Sequence, residues 1–208
     1  MSRPLRPASR LRRAALAQAR PARALEQLAL EFDLCLPRWS LSRPALLSRH
    51  RQRILACLEF VRGFFPELGS FTIHVGLARK RGVLGWGSLD PDHPGIWLRP
   101  RRLDYFTIAH EFTHLLQARK LVPAGERACD LWAMARSPLL IDSPPSYLAL
   151  PRALSRQSRI GLATAMRLHD AARRALAARE RGVRRYLNSF EQEIAEAFGG
   201  TGRRNGTR

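Results

Sequence analysis

DYFTIAHEFTHLLQARK (Asp104–Lys120) is the stretch from which the fold can be read. An Asp opens it as a helix N-cap would, and no Pro or Gly interrupts it. At about 100° per residue, with His110 at 0°, His114 falls at about 40° and Glu111 at about 100°. Tyr105, Ile108, Ala109, Phe112, Leu115 and Leu116 gather between about 140° and 260° on the same wheel. The spacing predicts a helix with an apolar core face and, opposite it, two imidazoles one turn apart beside a carboxylate. Histidines at i and i+4 can point at one ion, with Zn–N distances of about 2.0–2.1 Å. Glu111 then stands where it can take a proton from water activated by that ion.

A three-ligand site needs another donor. A break at Leu121–Gly125 precedes a second predicted helix that runs to about Arg136, and Glu126 and Asp130 lie one turn apart on it. Ala128, Leu131, Trp132 and Ala135 form its packing face, and the two carboxylates share the other side. One could bind the metal while the other accepts an imidazole N–H. Asp130 is favoured if the first helix runs to Lys120, and Glu126 if that helix ends near Gln117. Cys129 adjoins Asp130 but projects about 100° away on the wheel, as a core thiol would.

His110-Glu111-Phe112-Thr113-His114 (HExxH) resembles the active-site segment of zincin metallopeptidases. Glu126-Arg-Ala-Cys-Asp130 looks like the ExxxD of the gluzincin branch. The resemblance covers residues 70–136. It implies that His110, His114 and Glu126 bind Zn²⁺, that Glu111 is the general base, and that Asp130 supports a ligand histidine. The gap to Glu126 is short and closer to that of aspzincins, whose third ligand is Asp, so Asp130 stands as the alternative third ligand. The extended motif HExxHxxGxxH is absent, because position 117 is Gln and position 120 is Lys. The minimal zincin scaffold also implies an edge strand that holds extended substrate, for which Gly95–Arg99 is the candidate.

Around this segment the chain predicts an α+β fold, with a small antiparallel sheet packed on the HExxH helix and further N- and C-terminal helices. Phe71–Val75, Val83–Leu89 and Gly95–Arg99 read as strands joined by turn-rich links. Leu25, Leu28, Ala29 and Phe32 mark a short helix, and Pro44–Phe65 a longer one. Residues 137–151 hold four prolines and read as an ordered loop that could cover the site. Residues 152–198 form an Arg-rich helical part divided at Gly161 and Gly182, with Leu162, Met166, Ala172 and Leu176 along one face. One domain over 25–198 is expected, between a basic arm (1–24) and a flexible tail (199–208).

Composition bounds the rest. The 208 residues carry 36 Lys plus Arg against 17 Asp plus Glu, and only Lys80 and Lys120 are lysines. A GC-rich coding bias produces such an excess, yet the charge still draws nucleic acid or other polyanions in a salt-dependent way. Three scattered cysteines (Cys35, Cys57 and Cys129) argue for a reducing compartment rather than a disulfide framework. No apolar run suits a membrane span or a secretory signal, so a cytoplasmic, bacterial-type location is expected. The acid-free N-terminus superficially suits a transit peptide and fits a ragged basic arm better.

Two function classes follow. One is a zinc metallopeptidase, or another amide hydrolase, acting on a protein or peptide. The other is a basic nucleic-acid-binding protein on a catalytically inactive zincin-like scaffold. Tyr147 or His169 could donate to the oxyanion, although no spacing ties either to the site. His74 and His93 read as structural. Trp86 and Trp97, interleaved with Arg79, Arg81 and Arg99, could stack nucleic-acid bases, but packing against the helices is the simpler expectation.

Overall fold

The computed structural model describes residues 38–69, 71–78, 85–88, 90 and 92–199. Its elements, in order, are β1 (Trp39–Leu41), α1 (Arg43–Leu46), α2 (Arg51–Arg62), β2 (Ile73–Leu77), β3 (Gly85–Gly87) and β4 (Gly95–Leu98). They are followed by α3 (Tyr105–Ala118), α4 (Glu126–Arg136), α5 (Arg152–Ser155), α6 (Leu162–Glu180) and α7 (Tyr186–Phe198). Short 3₁₀ turns at Pro66–Leu68, Pro100–Arg102 and Pro138–Leu140 link them. From Trp39 onward the described chain is one unit. The expected arm, the Leu25–Phe32 helix, Cys35, Arg79, Arg81, the Trp86 side chain and the tail beyond Gly199 lie outside the described residues.

The α+β class holds, but the antiparallel sheet does not. The strand order is β1-β2-β4-β3, with β1, β2 and β4 mutually parallel and only β3 antiparallel, on β4. The turn-rich links between the three expected strands predict that each strand pairs antiparallel with its sequence neighbour. Instead β4 lies between β2 and β3. The further strand β1 enters parallel to β2 through the crossover formed by α1 and α2, which also divides the single helix expected over Pro44–Phe65. The edge strands of the described sheet are therefore β1 and β3, and Gly95–Leu98 is internal.

One face of the sheet carries Ile73, Val75, Ile96 and Leu98, all fully buried against the helices. Phe112 of α3 enters this core between Phe65, at 5.5 Å, and Trp39, stacked at 6.1 Å. The alternate positions of β2 and β4 point to the other face. There Trp97 lies beside His74, at 5.8 Å, and across Gly76 and Gly95, so it does not pack against the helices as expected.

On α6 the buried positions are Ala165, Leu168, Ala171, Ala172 and Ala175, whereas Leu162 and Met166 are exposed. The face expected from the two larger side chains is thus rotated. Small alanines let α6 approach α4 closely, and that approach sets which side turns inward. Among the described residues no helix is long and apolar enough to cross a membrane.

The start of α3 is held twice. Asp104 caps it locally, accepting from the Thr107 N–H at 2.6 Å. Asp142, from the proline-rich loop, accepts the N–H groups of Tyr105 and Phe106 at 3.0 Å each, with one carboxylate oxygen for each amide. Asp142→Ala leaves two buried donors unpaired and should destabilise the fold by about 1–2 kcal/mol. Urea unfolding checks this, and a variant as stable as the parent would show that the loop does not anchor the helix.

Candidate metal centre

The helix predicted from the sequence forms, but it is buried on nearly every side. His110 and Glu111 are 7 % and 4 % exposed, so the polar side of the wheel is an interior site and not a solvated face. The two imidazole rings stand 4.8 Å apart at 82° to one another. Helix α3 ends at Ala118. The chain then turns through Lys120, at φ 62°, and Gly125, at φ 110°, two left-handed positions that reverse it within a few residues.

This early ending decides which carboxylate reaches the histidines. Glu126, at the first position of α4, places Oε2 3.0 Å from Nε2 of His110 and 3.3 Å from Nε2 of His114. Asp130, one turn later and 1 % exposed, lies behind the ring of His110 with Oδ1 2.8 Å from Nδ1. Its other oxygen accepts the Tyr147 N–H at 2.7 Å.

The hydrogen bonds set the tautomers. A carboxylate on Nδ1 of His110 makes that nitrogen the donor and leaves Nε2 with a lone pair. For His114 the acceptor is Oε1 of Gln117, 3.0 Å from Nδ1. The orientation of that amide is settled by its NH₂, which donates to the carbonyls of Pro123 at 2.6 Å and Gly125 at 3.0 Å. Two bare Nε2 atoms thus face one carboxylate oxygen. Three lone pairs converging on one point repel each other unless a cation lies between them. The donor set, two imidazoles and a carboxylate, fits a divalent metal ion. The pKa of His110 reflects the same demand for positive charge. Burial alone would lower it, but the hydrogen bond that His110 donates to Asp130 and the charges of Asp130, Glu111 and Glu126 raise it overall.

Cys129 is the departure. Its thiol is not turned away into the core. Sγ lies 3.2 Å from Nδ1 of His114, and His110, His114 and Cys129 form a group with donor atoms within 4.8 Å that could hold a metal ion. Burial, followed by the charges of Glu126, Asp130 and Glu111, pushes the thiol pKa far up, so without metal it is a neutral thiol.

Glu111 is the most constrained group. Oε2 is buried without a hydrogen-bond partner, and burial lifts the carboxyl from an ordinary 4.5 to about 7. Strand β3 lies directly on it. A Cβ at Gly85 would come within 2.9 Å of Oε1, and one at Gly87 within 3.0 Å of the Glu111 carbonyl oxygen and 3.1 Å of the His114 Cβ. Glycines two apart in a strand face the same side, so Gly-Trp-Gly marks a close approach of backbone to a neighbouring element. Gly85 and Gly87 carry that signal in the sequence.

Of the two candidate oxyanion donors, Tyr147 is at the site. Its ring stacks on His110 at 5.5 Å and 19°, and half of the residue is exposed. The loop over 137–151 therefore meets the site at Tyr147, while the Glu126 side chain remains 46 % exposed and leaves a way in. His169 is elsewhere, with Nδ1 2.8 Å from the carbonyl oxygen of Met134. His93 pairs with Asp90 on the surface. Gln117 had no sequence signal beyond its place three residues after His114.

No family model, curated protein or solved structure matches the chain.

Gly87→Ala sets a methyl group against backbone that cannot yield and should cost about 1–3 kcal/mol, read from the urea midpoint. An unchanged midpoint would mean that β3 does not press on α3. A second expectation concerns pH in chelator-treated protein. Folded Glu111 loses its proton near pH 7 and the unfolded group near 4.5, so stability falls as pH rises through that window, by on the order of 3 kcal/mol. Glu111→Gln has no such proton. It should gain on the parent between pH 5 and pH 8, and parallel stability curves would contradict the burial of an unpartnered carboxylate.

Proposed function

We propose that the protein is a zinc-dependent peptidase in which His110, His114 and Glu126 hold the metal and Glu111 is the general base. The observation that carries this is the convergence of both Nε2 atoms on Oε2 of Glu126 at 3.0 and 3.3 Å. Asp130 and Gln117 each hold the opposite nitrogen of one ring and so aim both lone pairs at the same point. Cys129 is the weaker third ligand. Its sulfur lies by Nδ1 of His114, and the two nitrogens of one ring point apart, so an ion on Nε2 is on the other side of that ring.

A zinc ion so held supplies Lewis-acid activation of water and of the scissile carbonyl. Glu111 does the proton work. A carboxyl with a pKa of about 7 takes a proton from the attacking water and gives it to the departing amine nitrogen without being trapped in either state. Its unpartnered oxygen provides the vacant acceptor for that proton. Asp130 keeps His110 in one tautomer, and Tyr147 covers one face of that ring. The substrate is a protein or peptide in extended form. β3 is an edge of the described sheet and lies on Glu111, so a segment adding to that edge brings main-chain carbonyls past the base.

Protein purified without chelating resin should contain about one zinc per chain. Glu111→Gln should keep that metal while cleavage of a quenched peptide library falls by about 10²-fold or more. Glu126→Ala should lose the metal and Cys129→Ser should keep it. Glu111→Gln cleaving as fast as the parent would overturn the peptidase. Metal lost from Cys129→Ser but retained by Glu126→Ala would overturn the ligand set.

A further inference from the structure

A second site is indicated away from the histidines. Where β2 and β4 end, a cavity of about 610 Å³ is lined by Ser48, Arg49, His50, Arg99, Arg101 and Arg102, together with Ala78 and Pro100. Four of these eight residues are arginines and none is an acid. A comparably sized cavity of about 580 Å³ sits at the start of α3, and there Arg53 and Arg159 are matched by Asp104 and Asp142. Elsewhere on the surface Arg127, Arg136 and Arg174 are paired with Glu191, Glu67 and Glu193. Arg49, Arg101 and Arg102 bring three guanidinium groups to this cavity beside Arg99, with no acid among its described lining residues.

Its construction adds to the charge. The 3₁₀ turn Pro100–Arg102 presents Arg101 and Arg102, both exposed, from a short and proline-started piece of chain. Helix α2 begins at the same place. His50 is its N-cap, no side chain caps it, and its first turn holds no acid. The positive end of a twelve-residue helix is therefore left to whatever occupies the cavity. Guanidinium forks match the paired oxygens of phosphate, and Ser48 adds a neutral polar group.

We propose that this cavity binds phosphate groups of a single-stranded nucleic-acid backbone. A concave site of this size admits phosphates of a flexible strand more readily than those of a rigid duplex. The large excess of arginine over the whole chain would draw such a strand from a distance. The site is independent of the metal centre, and binding should survive both chelation and Glu111→Gln.

The test is fluorescence anisotropy with a labelled 20-nucleotide single strand of mixed sequence, at several salt concentrations. The parent is compared with Arg101→Ala/Arg102→Ala and with Arg181→Ala/Arg184→Ala, which removes the same charge from exposed positions at the end of α6. The cavity pair should weaken binding by about tenfold and lower the dependence of log affinity on log salt by about 1.4, whereas the distal pair should change affinity less than about threefold. Circular dichroism melting checks that both variants remain folded. Equal losses from the two pairs would reduce the effect to overall charge and overturn the site. So would a parent that binds no strand. In a parallel arm, inorganic phosphate is titrated by calorimetry. Phosphate binding that needs Arg101 and Arg102, with strand binding that ignores them, would overturn the nucleic-acid assignment in favour of a small phosphate ligand.

Discussion

The arrangement hinges on Asp130. This carboxylate is 1 % exposed, accepts from Nδ1 of His110 at 2.8 Å and from the backbone of Tyr147 at 2.7 Å, and so binds α3, α4 and the loop after α4 into one body. A buried carboxylate is costly unless its oxygens are satisfied, and here each has a donor. The two bonds are also directional. One fixes the tautomer and tilt of His110, and the other brings Tyr147 over the same ring at 5.5 Å. Removing either donor would leave a buried carboxylate oxygen without a partner.

The sheet contributes through close approach rather than through side chains. β3 has glycine at both positions that face α3, and the carboxylate of Glu111 occupies the space that two methyl groups would fill. This contact excludes water from Oε2 and raises the pKa of Glu111 to about 7. An antiparallel strand at the edge of the described sheet is what allows the contact, since β3 lies outside β4. The three residues of β3 therefore bury Glu111 and also form an edge of the described sheet.

Charge is distributed with similar economy. Arg127 and Arg136 of α4 and Arg174 of α6 pair with Glu191, Glu67 and Glu193, from α7 and the turn after α2. The cavity near Arg101 and Arg102 has four arginines and no acid among its described lining residues. A bias toward arginine supplies many cations without placing them. Only the fold shows which of them meet a glutamate across helices and which line a cavity.

The sequence by itself determined the HExxH helix, its N-cap at Asp104, the second helix from Glu126 to Arg136 and the mixed α and β character, because each rests on local periodicity or capping that few residues carry. It also brought His110, Glu111, His114, Glu126 and Asp130 into one set, since positions one turn apart on adjacent helices have little freedom. Tertiary structure alone decided the rest. Strand order depends on pairing between segments that are distant in sequence, so three short strands read as an antiparallel group became a mixed sheet with β1 added. The end of α3 at Ala118, set by the left-handed turn at Lys120 and Gly125, gave Glu126 the position facing both histidines and Asp130 the one behind His110. Cys129, Gln117 and Tyr147 entered the site through packing of α4 and its following loop. No periodicity encodes such contacts, because they depend on how closely two helices and a loop can approach.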